Sequence, residues 1–107
     1  GRNDDMMIIR GVNVYPSQVE AVLVGLPGTS PHYQIMLTRE GSLDTMLLEV
    51  EIDPGADGGA DNRTRLGKEV EHHIKSMIGV TCTVVMKGPG EVPRSEGKAV
   101  RVRDLRK

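Results

Sequence analysis

Apolar and polar positions change their period along this chain often enough to mark out most of its elements. Met6 to Ile9 and Val12 to Tyr15 are short apolar or β-branched runs on either side of Arg10-Gly11, a spacing that predicts a tight hairpin in which Gly11 is free to take a positive φ. Ser17-Gln18-Val19-Glu20 fits a capping box, and Val19, Val22, Leu23 and Leu26 then fall at helical spacing. A helix is therefore expected from about Pro16 to Leu26, stopped by Pro27-Gly28. Tyr33, Ile35 and Leu37 alternate with Gln34, Met36 and Thr38, and beyond Glu40-Gly41-Ser42 the residues Met46, Leu48, Val50 and Ile52 alternate with Thr45, Leu47, Glu49 and Glu51. That pattern predicts two antiparallel strands joined by a short loop. Asp53 to Ala60 has the chemistry of a loop. Leu66, Val70, Ile74 and Met77 line one helical face that ends at Gly79, and Val80 to Met86 alternates as a strand. Lys87 to Gly97, with Gly-Pro-Gly and Pro93, reads as an extended loop before a last short basic strand, Ala99 to Arg103.

The resulting order is β-hairpin, α, β, β, α, β, loop and a final strand. It implies an α+β sandwich related to the ferredoxin-like arrangement, with a mainly antiparallel sheet and the helices on one face. At 107 residues, with no internal repeat or linker, residues 1–107 are expected to form one domain. Its core has to be aliphatic, because the chain has no Phe, no Trp and only Tyr15 and Tyr33, so Val, Ile, Leu and six Met must fill it.

Charge and cysteine content narrow the function classes. The 14 basic and 15 acidic residues leave a net charge of −1, so no whole-molecule field favours nucleic acid or an anionic membrane. The stacking aromatics expected of a single-strand binder are also lacking. No apolar run approaches the length of a membrane span, and no secretory leader is visible. A single cysteine, Cys82, cannot form an internal disulfide, which fits a reducing compartment, so a cytoplasmic setting is expected. The abrupt start Gly1-Arg2-Asn3-Asp4-Asp5, without an initiator Met, suggests a piece of a larger protein.

Most candidate chemistry dissolves on inspection. His72 and His73 are adjacent on a helix and about 100° apart around its axis, so they cannot share a metal as an i, i+4 pair could. With His32 in a loop and one cysteine, no metal site is expected. Cys82 reads as a small core residue, since no activating base is identifiable. The Asp53–Asp61 loop lacks the ligand spacing of an EF-hand, and Gly97-Lys98-Ala99 is not a phosphate-cradling P-loop. Taken alone, Asp4-Asp5 reads as a turn pair and Lys98 as a solvated lysine. The tail nonetheless gathers cations, Lys98, Arg101, Arg103 and Arg106 among them, behind a glycine-containing turn.

Taken together, these segments resemble a known family. Gly1 to Glu20, and within it Arg10-Gly11-Val12-Asn13-Val14-Tyr15-Pro16-Ser17-Gln18-Val19-Glu20, is similar to the junction and first hairpin of the C-terminal domain of adenylate-forming acyl-CoA ligases, in particular the phenylacetate-CoA ligase branch. Ser30-Pro31-His32-Tyr33-Gln34 and Arg94-Ser95-Glu96-Gly97-Lys98 resemble that branch as well. The resemblance implies a two-step reaction. ATP, accompanied by Mg2+, and a carboxylic acid, here an aryl acid, give an acyl adenylate and pyrophosphate; CoA then displaces AMP. It also implies that this chain is a mobile lid over an N-terminal adenylating domain that binds most of the ATP and CoA, so that the isolated piece holds no cofactor and turns nothing over.

By position, Lys98 matches the catalytic lysine of adenylation, Asp4 the hinge about which the lid turns, and Arg2 an arginine of the nucleotide site. Gly11, with Val12 and Asn13, matches the hairpin that faces the tunnel for the pantetheine arm of CoA. Asn13 departs from the arginine frequent there, and Glu96 is extra relative to the commoner Ser-Gly-Lys, which alters the reach of that loop. Two other readings remain at this point: a metabolite-binding regulatory module of ferredoxin-like type, since fold does not determine function, and the lid of an adenylyltransferase that does not use CoA. A homodimer is compatible with each.

Overall fold

Arg10 and Gly11 reverse the chain between β1 (Met7–Ile9) and β2 (Val12–Val14), paired antiparallel with Ile9 opposite Val12. Both turn residues have positive φ, 52° at Arg10 and 79° at Gly11, the geometry of the two-residue turn that matches strand twist. The expected freedom at Gly11 is used, and an arginine shares it. The computed structural model describes residues 6–56, 58–92 and 102–105.

Pro16 opens α1 (Pro16–Val24). Its fixed φ suits the first helical position, which makes Tyr15 the cap and Gln18 the third helical residue. The Gln18 side chain reaches back to accept the Tyr15 amide at 2.9 Å. The capping box expected at Ser17 and Glu20 is thus displaced by two residues, and the helix stops short of Leu26. Val19, Val22 and Leu23 form its buried face.

β3 (Thr29–Glu40) and β4 (Leu43–Ile52) form the antiparallel pair expected, with Glu40 opposite Leu43 across Gly41-Ser42. Tyr33, Ile35, Leu37, Met46, Leu48, Val50 and Ile52 all point into one core. After a loop, α2 (Ala60–Met77) contributes Leu66, Val70 and Ile74 to that core. Met77 differs from expectation: as the last residue of the helix it is 65 % exposed, beyond the point where other elements cover its face. The Gly79 amide then closes the helix on the carbonyls of Ile74 and Lys75.

β5 (Thr83–Lys87) begins later and ends later than the sequence suggests, and it pairs parallel to β4. β6 (Val102–Asp104) pairs parallel to β3, giving the sheet order β5-β4-β3-β6. Most paired positions are antiparallel once both sheets are counted, because the β3–β4 ladder is long. Both helices pack on the face carrying Ile35 and Leu48, and the first hairpin joins the same core through Met7, Ile9 and Val14. The opposite face carries Gln34, Met36, Thr38, Thr45, Leu47, Glu49 and Glu51, as alternation requires.

Candidate functional site

The hairpin tip is fixed at one end of the long strand pair. The Arg10 guanidinium donates from Nε to the Asp44 carbonyl at 2.8 Å, while Asp44 also receives Arg39 Nε at 2.8 Å. An exposed ion pair of that kind contributes little by itself. The Arg10 bond matters because it ties the turn to β4 and offsets the cost of a left-handed arginine.

At the tip, Gly11 is exposed, and a Cβ built on it meets nothing within 4 Å among the described residues beyond its chain neighbours. Asn13, opposite Ile8, faces outward, and Ile8 is itself 52 % exposed. Val12 stands opposite the buried Ile9 and packs partly against the core. Of the three residues expected to act together, then, Gly11 and Asn13 are presented to solvent and Val12 largely supports them from below.

The other end of β4 organises a second locus. β5 runs parallel to β4 and ends with Lys87 beside Glu51. The chain then turns through Gly88, Pro89, Gly90 and Glu91, the Glu91 amide donating to the Gly88 carbonyl at 3.0 Å. Pro89 supplies the second position of this turn and Gly90, at φ 83°, the third, the requirements of a type II turn. The Glu91 carboxylate accepts the Gly88 amide at 2.8 Å, and the Glu51 carboxylate accepts the Val92 amide at 3.1 Å. The first five residues after β5 are therefore tied into a turn, where the sequence suggests an extended loop. Pro-Gly at 89–90 was a readable turn signal, whereas the role of Glu51, 41 residues from Val92, has no local signature.

Asp44 and Glu51 lie seven residues apart on one strand, roughly 23 Å at about 3.3 Å per residue. The hairpin tip and the turn leading toward Lys98 thus sit at opposite ends of the sheet. Arg103 is exposed on β6. Lys98, Arg2 and Asp4, together with Arg101 and Arg106, lie outside the described residues.

Other candidates resolve as follows. Cys82 is buried, and burial, with the Glu71 carboxylate adding to it, pushes its thiol up to about 12, so it is held as an inert thiol. His73 Nδ1 lies 2.8 Å from the Glu69 carbonyl within α2. Among the described residues, no group of three or more His, Cys, Asp or Glu is placed to hold a metal, and no helix is long and apolar enough to cross a membrane. A groove of about 390 Å³ between α2 and β5 is lined by Arg63, Lys68, Glu71 and Val84 among others. Its Glu71 is already committed, accepting the Val84 amide at 2.9 Å.

Known proteins resemble this chain over its whole length. The AMP-binding enzyme C-terminal domain profile matches residues 11–106. A phenylacetate-coenzyme A ligase of Thermus thermophilus is 49 % identical over 100 % of this chain and 27 % of its own length. The crystal structure of a domain of phenylacetate-coenzyme A ligase from Bacteroides vulgatus superposes with a TM-score of 0.87 at 34 % identity, covering 100 % of this chain and 98 % of that one. A 2-hydroxyisobutyryl-CoA ligase, solved with 2-HIB-AMP and CoA, gives a TM-score of 0.88 at 36 % identity over 100 % of this chain and 22 % of its own. The chain spans about a quarter of the length of the curated relatives it matches. With a profile match over nearly all its residues and this agreement in fold, the chain belongs to the AMP-binding enzyme C-terminal domain family.

Proposed function

We propose that residues 1–107 form the mobile lid of a cytoplasmic, ATP-dependent acyl-CoA ligase of the phenylacetate type, working over an N-terminal adenylating domain of the same protein. The observation that carries this reading is the placement of two candidate loci at opposite ends of β4, with Arg10 fixed to Asp44 and Val92 fixed to Glu51. A domain built this way can offer one end to a neighbouring active centre in one orientation and the other end in a second. The likeness to a CoA ligase solved with an acyl adenylate and CoA supports assigning one end to each half-reaction.

In the first half-reaction the carboxylate of an aryl acid attacks the α-phosphate of ATP, which enters with Mg2+, and pyrophosphate leaves. Two anions must approach one another. Lys98 supplies a cation between them, and Arg2 a planar donor fork for the nucleotide. Asp4 is the hinge, where a short polar residue can absorb the backbone change. In the second half-reaction the CoA thiol attacks the acyl carbonyl and AMP departs. Gly11, exposed and without a side chain, lets backbone approach the pantetheine arm, with Asn13 beside it and Val12 bracing the turn.

Removing a donor aimed at developing charge costs on the order of 10² to 10³ in rate, or about 3 to 4 kcal/mol, whereas an exposed lysine contributes within about 0.5 kcal/mol to stability. Lys98→Ala in the intact ligase is therefore expected to cripple acid-dependent ATP–pyrophosphate exchange while leaving the melting temperature nearly unchanged. An exchange rate equal to that of the parent enzyme would end the assignment.

A further inference from the structure

Among the described residues, Glu51 is the most deeply buried polar or charged side chain. It is only 2 % exposed and ranks among the largest fully buried side chains. Its strand neighbours Val50 and Ile52 point into the core, so it lies on the sheet face away from the helices. Burying a carboxyl is costly unless it is hydrogen-bonded, and Glu51 Oε2 accepts the amide of Val92. Val92 is itself 2 % exposed, yet stands apart from the main core cluster. A loop residue is thereby tied to the sheet by the Glu51 side chain.

Upstream of that bond the chain is held twice more. The Gly88–Glu91 turn is closed by its own main-chain hydrogen bond and, from the other side, by the Glu91 carboxylate on the Gly88 amide. Downstream comes Pro93, which has no N–H to offer, and Lys98 follows Val92 by six residues. The last described tie before the lysine is the one made by Glu51.

We propose that Glu51 is a positioning residue for adenylate formation: by fixing the Val92 amide it sets the point from which the segment bearing Lys98 departs. This rests on the reading of Lys98 as the adenylation lysine. Lys98 lies between this tie and the pairing of β6 with β3 that begins at Val102; with the tie in place nine residues, 93–101, separate the two attachments, and with anchoring lost back to Lys87 fourteen do. Effective concentration falls roughly as the −3/2 power of the connecting length, so lengthening alone lowers delivery of the lysine by about 2-fold. Loss of orientation adds to this, and a total of about 3- to 10-fold is expected, well short of the loss from removing the lysine itself.

The test compares Glu51→Met, Glu51→Gln, Gly90→Val and Lys98→Ala in the intact ligase. Adenylation is read as pyrophosphate exchange and thioester formation from supplied acyl adenylate, with hydrogen exchange at the Val92 amide as a structural readout. Glu51→Met should lower kcat for adenylation by about 3- to 10-fold with KM for ATP and acid unchanged, spare the thioester step and speed Val92 exchange. Glu51→Gln keeps an oxygen that can accept the amide, so it should recover most of the rate. Gly90→Val forces open an exposed turn without touching the core, so it should give the same signature even if Glu51→Met does not fold. Equal loss in both half-reactions, or unchanged adenylation once Val92 protection is gone, overturns the anchoring role. Lys98→Ala separates the two readings: if it cripples adenylation while the anchor variants do nothing, only the anchor fails, and if it does nothing, the lysine reading fails first.

Discussion

Gly11 shows how a single residue can be conformationally demanding and sterically free at once. Its φ of 79° disfavours any side chain, yet among the described residues nothing beyond its chain neighbours lies within 4 Å of where a Cβ would sit. Gly11→Leu should cost on the order of 1 kcal/mol in stability through the backbone alone, and Gly11→Asn less, since asparagine tolerates the left-handed region. Loss of thioester formation in Gly11→Leu beyond what stability explains would then come from crowding against groups other than the described residues. Comparing melting temperatures with both half-reaction rates for the two variants checks this, and equal damage to both steps would contradict it. Cys82 makes a different residue-scale statement. Folded, its thiol keeps its proton to about 12 against an ordinary value of 9.0, through burial first and Glu71 second. The stability it confers is whole below pH 9.0 and is lost as the pH rises toward 12, at up to about 1.4 kcal/mol per pH unit. Urea midpoints at pH 8 and about pH 10.5 should therefore fall further for the parent than for Cys82→Ala, and parallel declines would show that the thiol is not protected.

At the scale of elements, local periods were readable wherever one face is buried. β3 and β4 alternate because Tyr33, Ile35, Leu37, Met46, Leu48, Val50 and Ile52 all lie in the one buried core, and α2 is periodic through Leu66, Val70 and Ile74 for the same reason. Strand neighbours are a different kind of fact: β5 and β6 flank the central pair in parallel, which no short-range pattern encodes. The cap of α1 moved from Ser17 to Tyr15 because Pro16 claims the first helical position. At the candidate site the glycine of the hairpin was legible from turn chemistry, while the Glu51–Val92 tie was not, since on a strand Glu51 looks like any outward-facing polar residue. The edge of β5 carries a related device, for the Glu71 side chain on α2 accepts the Val84 amide. Glu71→Ala leaves that part-buried donor without this partner, and a loss of about 1 to 3 kcal/mol is expected. A midpoint shift in urea below about 0.5 kcal/mol would mean that water replaces the bond at little cost.

For the molecule as a whole, the long β3–β4 pair acts as a spacer. It holds the hairpin tip near Asp44 and the Val92 anchor near Glu51, roughly 23 Å apart along the strand, and α1 and α2 brace it from one side. Each end can be damaged without disturbing the other, because residues more than about 10 Å apart with no shared partners behave independently. The central claim is that the two ends serve two different chemical steps. The most direct measurement takes Lys98→Ala and Gly11→Leu in the intact ligase and determines, for each, the rate of acyl-adenylate formation and the rate at which supplied acyl adenylate is converted to the CoA thioester. A crossed pattern is predicted, the lysine variant failing only in the first step and the glycine variant only in the second; the same step lost in both, or both steps lost in each, would contradict the account.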